Sequence, residues 1–160
     1  MNSDRDTFLL KRIRLYIWVM IIGLFLSGLT AFPIESELAW LTNHATQSGD
    51  LTKWLYKVYH AVIITNQTYP FLNYGTDWLG FAHLMFAVLF CGVLKDPKRN
   101  VWIIQFGIIA AIAIFPLAFI AGALRGIPVT WRLVDCSFGV VALLILIPCY
   151  HYIRKLSVPV

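Results

Sequence analysis

Charge is scarce in this chain, and the usual marks of a soluble domain are scarce with it. Charged residues make up 13% of the 160 and hydrophobic ones 59%, against about 25% and about 45–50% in a typical soluble domain. Both departures point to an integral membrane protein. Cysteine is limited to Cys91, Cys136 and Cys149, all inside apolar runs, with no Cys-x-x-Cys pair among them. That spacing argues against thiol-disulfide exchange, which needs two sulfurs within bonding reach, and reads instead as three small buried hydrophobes. The net charge of +5 is not gathered into a basic stripe, so nucleic acid is not an expected partner. No small-residue cleavage pattern follows the first apolar run, which predicts a retained segment rather than a cleaved signal peptide.

What the chain has in quantity is apolar sequence, in four runs. They predict spans over approximately 15–32, 78–94, 101–124 and 133–150, each near the length needed to cross the hydrocarbon core as a helix. Residues 1–14, with Lys11, Arg12 and Arg14 at their end, read as a cytoplasmic anchor. Gly23, Ser27 and Gly28 lie near one face of the first span, where another helix can approach closely; Gly107 with Ala111, and Ala118 with Gly122, make the same offer in the third. Pro116 removes a backbone donor inside that third span and predicts a kink.

The outer segment, 33–76, is the least membrane-like. Asp50, after Ser-Gly, looks like an N-cap, and Leu51 to Ile64 reads as an amphipathic helix whose Trp54, Tyr56 and Tyr59 suit the headgroup level. Asn73-Tyr-Gly-Thr-Asp is turn chemistry, with Thr76 or Asp77 as the expected cap of the second span. Asn66-Gln-Thr68 fits a glycosylation sequon, a short match that arises often by chance. The predicted fold is all-α: an integral membrane four-helix bundle in one domain, with one or two interfacial amphipathic helices on the non-cytoplasmic side.

Lysine and arginine set the expected orientation. They precede the first run, fill the loop Lys95-Asp-Pro-Lys-Arg99 and follow the last run at Arg154 and Lys155, which places both termini in the cytoplasm of a bacterial inner membrane. Four span ends then meet on the outer side. Glu35 follows span one, Asp77 opens span two with Trp78, Arg125 closes span three, and Trp131, Arg132 and Asp135 open span four. Arg132 and Asp135, three apart, share a helix face and are expected to pair. His83 lies about 9 Å deeper than Asp77 at 1.5 Å per residue. An ionisable group at membrane depth is a functional-site candidate by default.

Two chemistries suit these residues. Arg125 and Arg132 can fork onto an anionic headgroup while Trp78, Trp131 and Glu35 complete a ligand site. Asp77 and Asp135 can serve as acid and base with His83 as orienter or shuttle. No metal-ligand spacing is present, and a haem would require His60 to face His83; the sequence names no cofactor. The segments Asp77-Trp-Leu-Gly-Phe-Ala-His83 and Arg132-Leu-Val-Asp135-Cys-Ser-Phe-Gly139 resemble, in part, two motifs of VanZ-like membrane proteins. The Asp-to-His gap is longer, the lysine is absent, and the Glu and Gln of the preceding span are missing, so no role is carried over. Lipoprotein signal peptidases are similar in size and span count, but no Asn-x-x-Asp-Arg-like segment occurs at Asp77 or Asp135.

The leading expectation is a non-catalytic accessory subunit or lipid-binding component, with membrane lipid and other membrane-protein subunits as partners. A membrane-embedded hydrolase or transferase acting on a lipid-linked anionic substrate through Asp77, His83 and Asp135 is the alternative. A small proton-coupled carrier is the third reading, opposed by the near absence of ionisable groups from the inner halves of the spans.

Overall fold

The computed structural model describes residues 2–45 and 49–157. Every element among them is helical: α1 (Asn2–Ala31), α2 (Ile34–His44), α3 (Asp50–Thr68), a 3-10 turn (Pro70–Leu72), α4 (Tyr74–Lys95), α5 (Val101–Pro116), a π turn (Leu117–Ala121), α6 (Gly122–Leu124) and α7 (Val129–Lys155). Four stretches are long and apolar enough to cross a membrane: Asp4–Ala31, Pro70–Lys95, Val101–Leu124 and Val129–Lys155. The chain divides into two compact units, Met1–Gly23 with Phe86–Val160, and Leu24–Met85. The divisions fall inside α1 and α4.

In the first unit, α1 begins well before the expected span. The supposed anchor is helical from Asn2, because Leu9, Ile13, Ile17 and Ile21 form a buried stripe with the four-residue spacing of one helix face. Asp4 in the first turn complements the helix dipole. The ends of α1 and α7 meet: the Ser157 N–H donates to Asp6 Oδ2 at 3.3 Å, and the rings of Tyr16 and Tyr152 stack with centroids 6.0 Å apart. Helices α5 and α7 pack through small residues. A methyl group on Gly139 would lie 2.9 Å from the Ala111 carbonyl oxygen, and one on Gly107 would lie 2.8 Å from Leu146 Cδ1. Gly107, Ala111, Ala118 and Gly122 thus sit where close approach was expected, with the last three buried.

The disturbance expected at Pro116 takes the form of the π turn that follows it. Without its N–H, Pro116 cannot continue the i−4 ladder, and the next turn widens so that the Gly122 N–H bonds the Leu117 carbonyl, five residues back. Between α4 and α5, Asn100 holds the basic loop by donating from Nδ2 to the carbonyls of Gly92 at 2.9 Å and Asp96 at 3.0 Å.

In the second unit, α2 and α3 form an antiparallel pair. Tyr56 Oη donates to the Thr42 carbonyl at 2.8 Å near one end of the pair, and Asn66 bonds Glu35 near the other. Half-buried positions on α3 recur at 52, 54, 55, 58, 59, 62, 63, 65 and 66, a helical stripe; His60 falls off it and is exposed. Asp50 is the first helical residue rather than the cap. Gly49 takes the cap position at φ 146°, a conformation that favours glycine, and Asp50 pairs with Lys53 at 3.9 Å. The C-terminal part of α1 meets α4 backbone to backbone: a methyl on Gly28 would lie 2.7 Å from the Gly80 oxygen, and one on Gly80 would lie 2.8 Å from the Gly28 oxygen. Gly23, grouped with Gly28 from the sequence, has nothing within 4 Å.

Candidate functional site

The second unit holds a cavity of about 450 Å³ at the start of α2, the end of α3 and the start of α4. That volume lies within the range of small-molecule sites. Its walls combine Glu35 and Asp77 with the amides of Asn66 and Asn73, the Thr76 hydroxyl, and apolar surface from Phe32, Ile34, Pro70, Phe71 and Tyr74. Each element contributes for a local reason. Pro33 ends the α1 region and aims the chain into α2, so Glu35 falls in the first turn of α2. The Asn73 carbonyl accepts from the N–H groups of Thr76 at 2.9 Å and Asp77 at 3.3 Å. Helix α4 therefore starts at Tyr74, and Asp77 lies within its first turn instead of capping it. There its carboxylate favours the helix dipole and remains available to the cavity.

The amides are ordered in one direction. Asn73 Nδ2 donates to Asn66 Oδ1, and Asn66 Nδ2 donates to Glu35 Oε2. Both side chains thus direct donors along a relay that ends on a carboxylate. Among the described residues no donor meets Glu35 Oε1 or either Asp77 oxygen. The cavity surface is rich in acceptors, and its lining includes no Lys, Arg or His.

Beside it is a cleft of about 290 Å³ lined by Phe32, Tyr74, Asp77, Trp78 and Phe81. Phe32, Tyr74 and Asp77 belong to both hollows. Tyr74, Trp78 and Phe81 are set edge to face in sequence, with centroids 5.9 Å and 5.7 Å apart. This geometry holds the rings at fixed angles to each other. Glu35, Asp77 and Trp78, three residues nominated from sequence, are therefore brought together. Asn66 and Asn73 were not nominated. Their signal was the position of Asn66 on the half-buried stripe of α3, opposite a carboxylate that follows Pro33.

The turn from Gly122 to Asp135, in the first unit, is built differently. Gly126 adopts φ 66°, its N–H bonds the Ala123 carbonyl at 3.1 Å, and the Ile127 N–H bonds the Gly122 carbonyl at 2.9 Å. This is the paired closure of a helix C-terminus that a left-handed glycine permits. Arg132 folds back over it: Nε donates to the Ile127 carbonyl at 2.7 Å, and a methyl on Gly122 would meet Arg132 Cδ at 3.1 Å. The expected pairing of Arg132 with Asp135 is absent among the described residues, where the ion pair found is Lys53 with Asp50. The Ile127 carbonyl lies just before the helix and outside its backbone ladder, and the guanidinium supplies its donor. Arg125 is exposed, while Trp131 and Asp135 are half-buried.

His83 is half-buried on α4, six residues beyond Asp77, and outside the lining of both hollows. Its Nδ1–H donates to the Leu79 carbonyl at 2.8 Å, which fixes the ring against its own helix. No contact joins it to the exposed His60 among the described residues, and no group of three His, Cys, Asp or Glu placed to hold a metal occurs among them. The Asn66 amide, committed to Glu35 and Asn73, is not presented as a glycan acceptor. No protein-family profile, curated protein or solved structure matches the chain.

Proposed function

We propose that this chain is a small integral membrane protein that works without catalysis, as a lipid-binding component or accessory subunit of a membrane assembly. The observation that carries the reading is the surface of the four long helices. Only 22% of the most apolar window of each is buried, and side chains such as Trp18, Phe25, Ile109, Ile120, Phe138 and Leu144 are exposed. Unburied apolar surface on this scale requires lipid or a partner helix to cover it. The positive-inside pattern of the sequence puts both termini in the cytoplasm of a bacterial inner membrane. The contact of Asp6 with Ser157 favours that arrangement, since it joins the two chain ends.

On this reading α2 and α3 lie at the outer face, with the exposed rings of Tyr69, Phe71, Tyr74 and Trp78 at headgroup depth. Arg125 and the two Nη groups of Arg132 offer donors to an anionic headgroup, with Trp131 beside them. Placement is what weighs against the catalytic alternative. His83 lies outside the lining of both hollows that Asp77 shares, whereas an acid–base pair needs its two groups directed at one reacting atom.

The test is purification from native membranes in a mild non-ionic detergent, with mass spectrometry of what remains bound, repeated on Arg125→Ala. The expected result is retained anionic lipid or a stoichiometric membrane partner. Loss of the lipid in the variant would assign the turn as its site. Release of the chain from membranes by alkaline carbonate would overturn the reading.

A further inference from the structure

We propose that the Glu35–Asp77 cavity is a binding site for an alkylammonium group, either the headgroup of an amine-bearing lipid or a free organic amine. Three features of the walls select that class. Two carboxylate side chains line the cavity, and no basic residue answers them. Two like charges facing one hollow oppose each other, and a cation between them removes that penalty. The amide relay then fixes the polarity of the remaining surface. Because Asn73 donates to Asn66 and Asn66 donates to Glu35 Oε2, the carboxylate acceptors left over are Glu35 Oε1 and the Asp77 oxygens, with Asn73 Oδ1 a neutral acceptor beside them. A ligand meeting them must bring donors or positive charge; an anion would face two carboxylates with no Lys, Arg or His to offset them.

The third feature separates an organic cation from a metal ion. Calcium takes six to eight oxygen ligands and magnesium a tight octahedron. Here the carboxylate oxygens come from two side chains, and much of the remaining wall is Phe32, Phe71, Pro70 and Tyr74. Aromatic rings attract ammonium ions through their faces and tolerate the methyl or methylene groups that such ions carry. The neighbouring cleft continues the aromatic surface through Tyr74, Trp78 and Phe81, with Asp77 on the boundary between the two hollows. The cavity takes the ammonium head, and the cleft takes the alkyl or glyceryl portion attached to it. This deepens the lipid-binding reading by adding a site of the opposite charge preference to the arginine turn, yet its free-amine arm stands without a membrane.

The experiment is calorimetric titration of the full chain in non-ionic detergent. The probes are ethylammonium chloride, tetramethylammonium chloride, short-chain phosphatidylethanolamine, short-chain phosphatidylglycerol and magnesium chloride. Binding of at least one ammonium probe is expected, weakened about tenfold or more in Glu35→Gln and in Asp77→Asn, where one charge is removed with little change of shape. Response to phosphatidylethanolamine alone would identify a lipid source, and response to the simple amines would identify a free one. Tyr74→Leu, which leaves both charges and removes a ring, is expected to weaken tetramethylammonium at least about threefold. Circular dichroism confirms that each variant keeps its helical content; a variant that does not is replaced by the next of the three. The inference is overturned if no ammonium probe binds, if phosphatidylglycerol binds as well as phosphatidylethanolamine, if magnesium displaces the amines at equal concentration, or if folded variants bind as the parent does. A chain that resists carbonate extraction and ignores every ammonium probe sinks this inference and leaves the membrane reading intact. A chain released by carbonate that still binds the simple amines does the reverse.

Discussion

The turn at Gly122–Asp135 and the cavity at Glu35–Asp77 are both polar interruptions between apolar helices, and they commit their charges in opposite ways. At the turn, Arg132 lies along Gly122 and donates to the Ile127 carbonyl, so part of its charge is used to close the backbone. At the cavity, neutral amides do the holding, and carboxylate oxygens are left facing open space. Charged side chains are thus poor guides to function by identity alone. What distinguishes a ligand site from a structural staple is which of their polar atoms the surrounding backbone has already claimed.

The two arrangements rest on different contacts, and each can be removed by substitution. The largest expected effect is at the backbone crossing beneath the cavity. Gly28→Val places a Cβ 2.7 Å from the Gly80 oxygen, inside contact distance, and should cost about 1–3 kcal/mol or more, seen as a lower thermal midpoint in detergent together with loss of ammonium binding. Next is Arg132→Leu, which leaves the Ile127 carbonyl without its 2.7 Å donor; a loss of about 1–3 kcal/mol is expected, while exposed Arg125→Ala stays within about 0.5 kcal/mol. Equal effects of the two arginine substitutions would erase the distinction between staple and free charge.

Smaller changes sharpen it. Asn66→Leu removes the middle of the relay and should cost about 1–2 kcal/mol, because Glu35 Oε2 and the Asn73 donor both lose their partner. Tyr56→Phe deletes one bond, to the Thr42 carbonyl at 2.8 Å, and about 0.5–1.5 kcal/mol with it. Gly23→Ala is the control for Gly28. Nothing lies within 4 Å of the added methyl, so the variant should gain up to about 1 kcal/mol from reduced chain entropy in a helix interior. A midpoint that falls instead would mean that Gly23 is also a contact point.

The four apolar stretches were legible in the sequence because length and composition alone define them. The third span matched at both ends, and the others ran longer: α1 back to Asn2, α4 from Tyr74, α7 from Val129. Apolar content cannot show where an amphipathic stripe such as Leu9–Ile13–Ile17 carries a helix beyond the lipid-like run. Of the candidate residues, Glu35 and Asp77 were legible as carboxylates near span ends. Their sharing of one cavity was not, since it depends on the antiparallel return of α3, which sets Asn66 against Glu35 across 31 positions of sequence. The role of Arg132 was misread for a related reason. The i, i+3 rule finds Asp135 on the same helix face, but the turn before the helix offers the guanidinium a nearer acceptor.

The most direct test of the account is headgroup selectivity in one preparation. The chain is taken from native membranes in mild detergent, and the retained lipids are identified by native mass spectrometry for the parent, Arg125→Ala and Glu35→Gln. The parent is expected to keep lipid of both kinds, Arg125→Ala to lose the anionic species, and Glu35→Gln to lose the amine-bearing one. A parent that keeps no lipid, or two variants whose retained lipids are the same as the parent's, would contradict it.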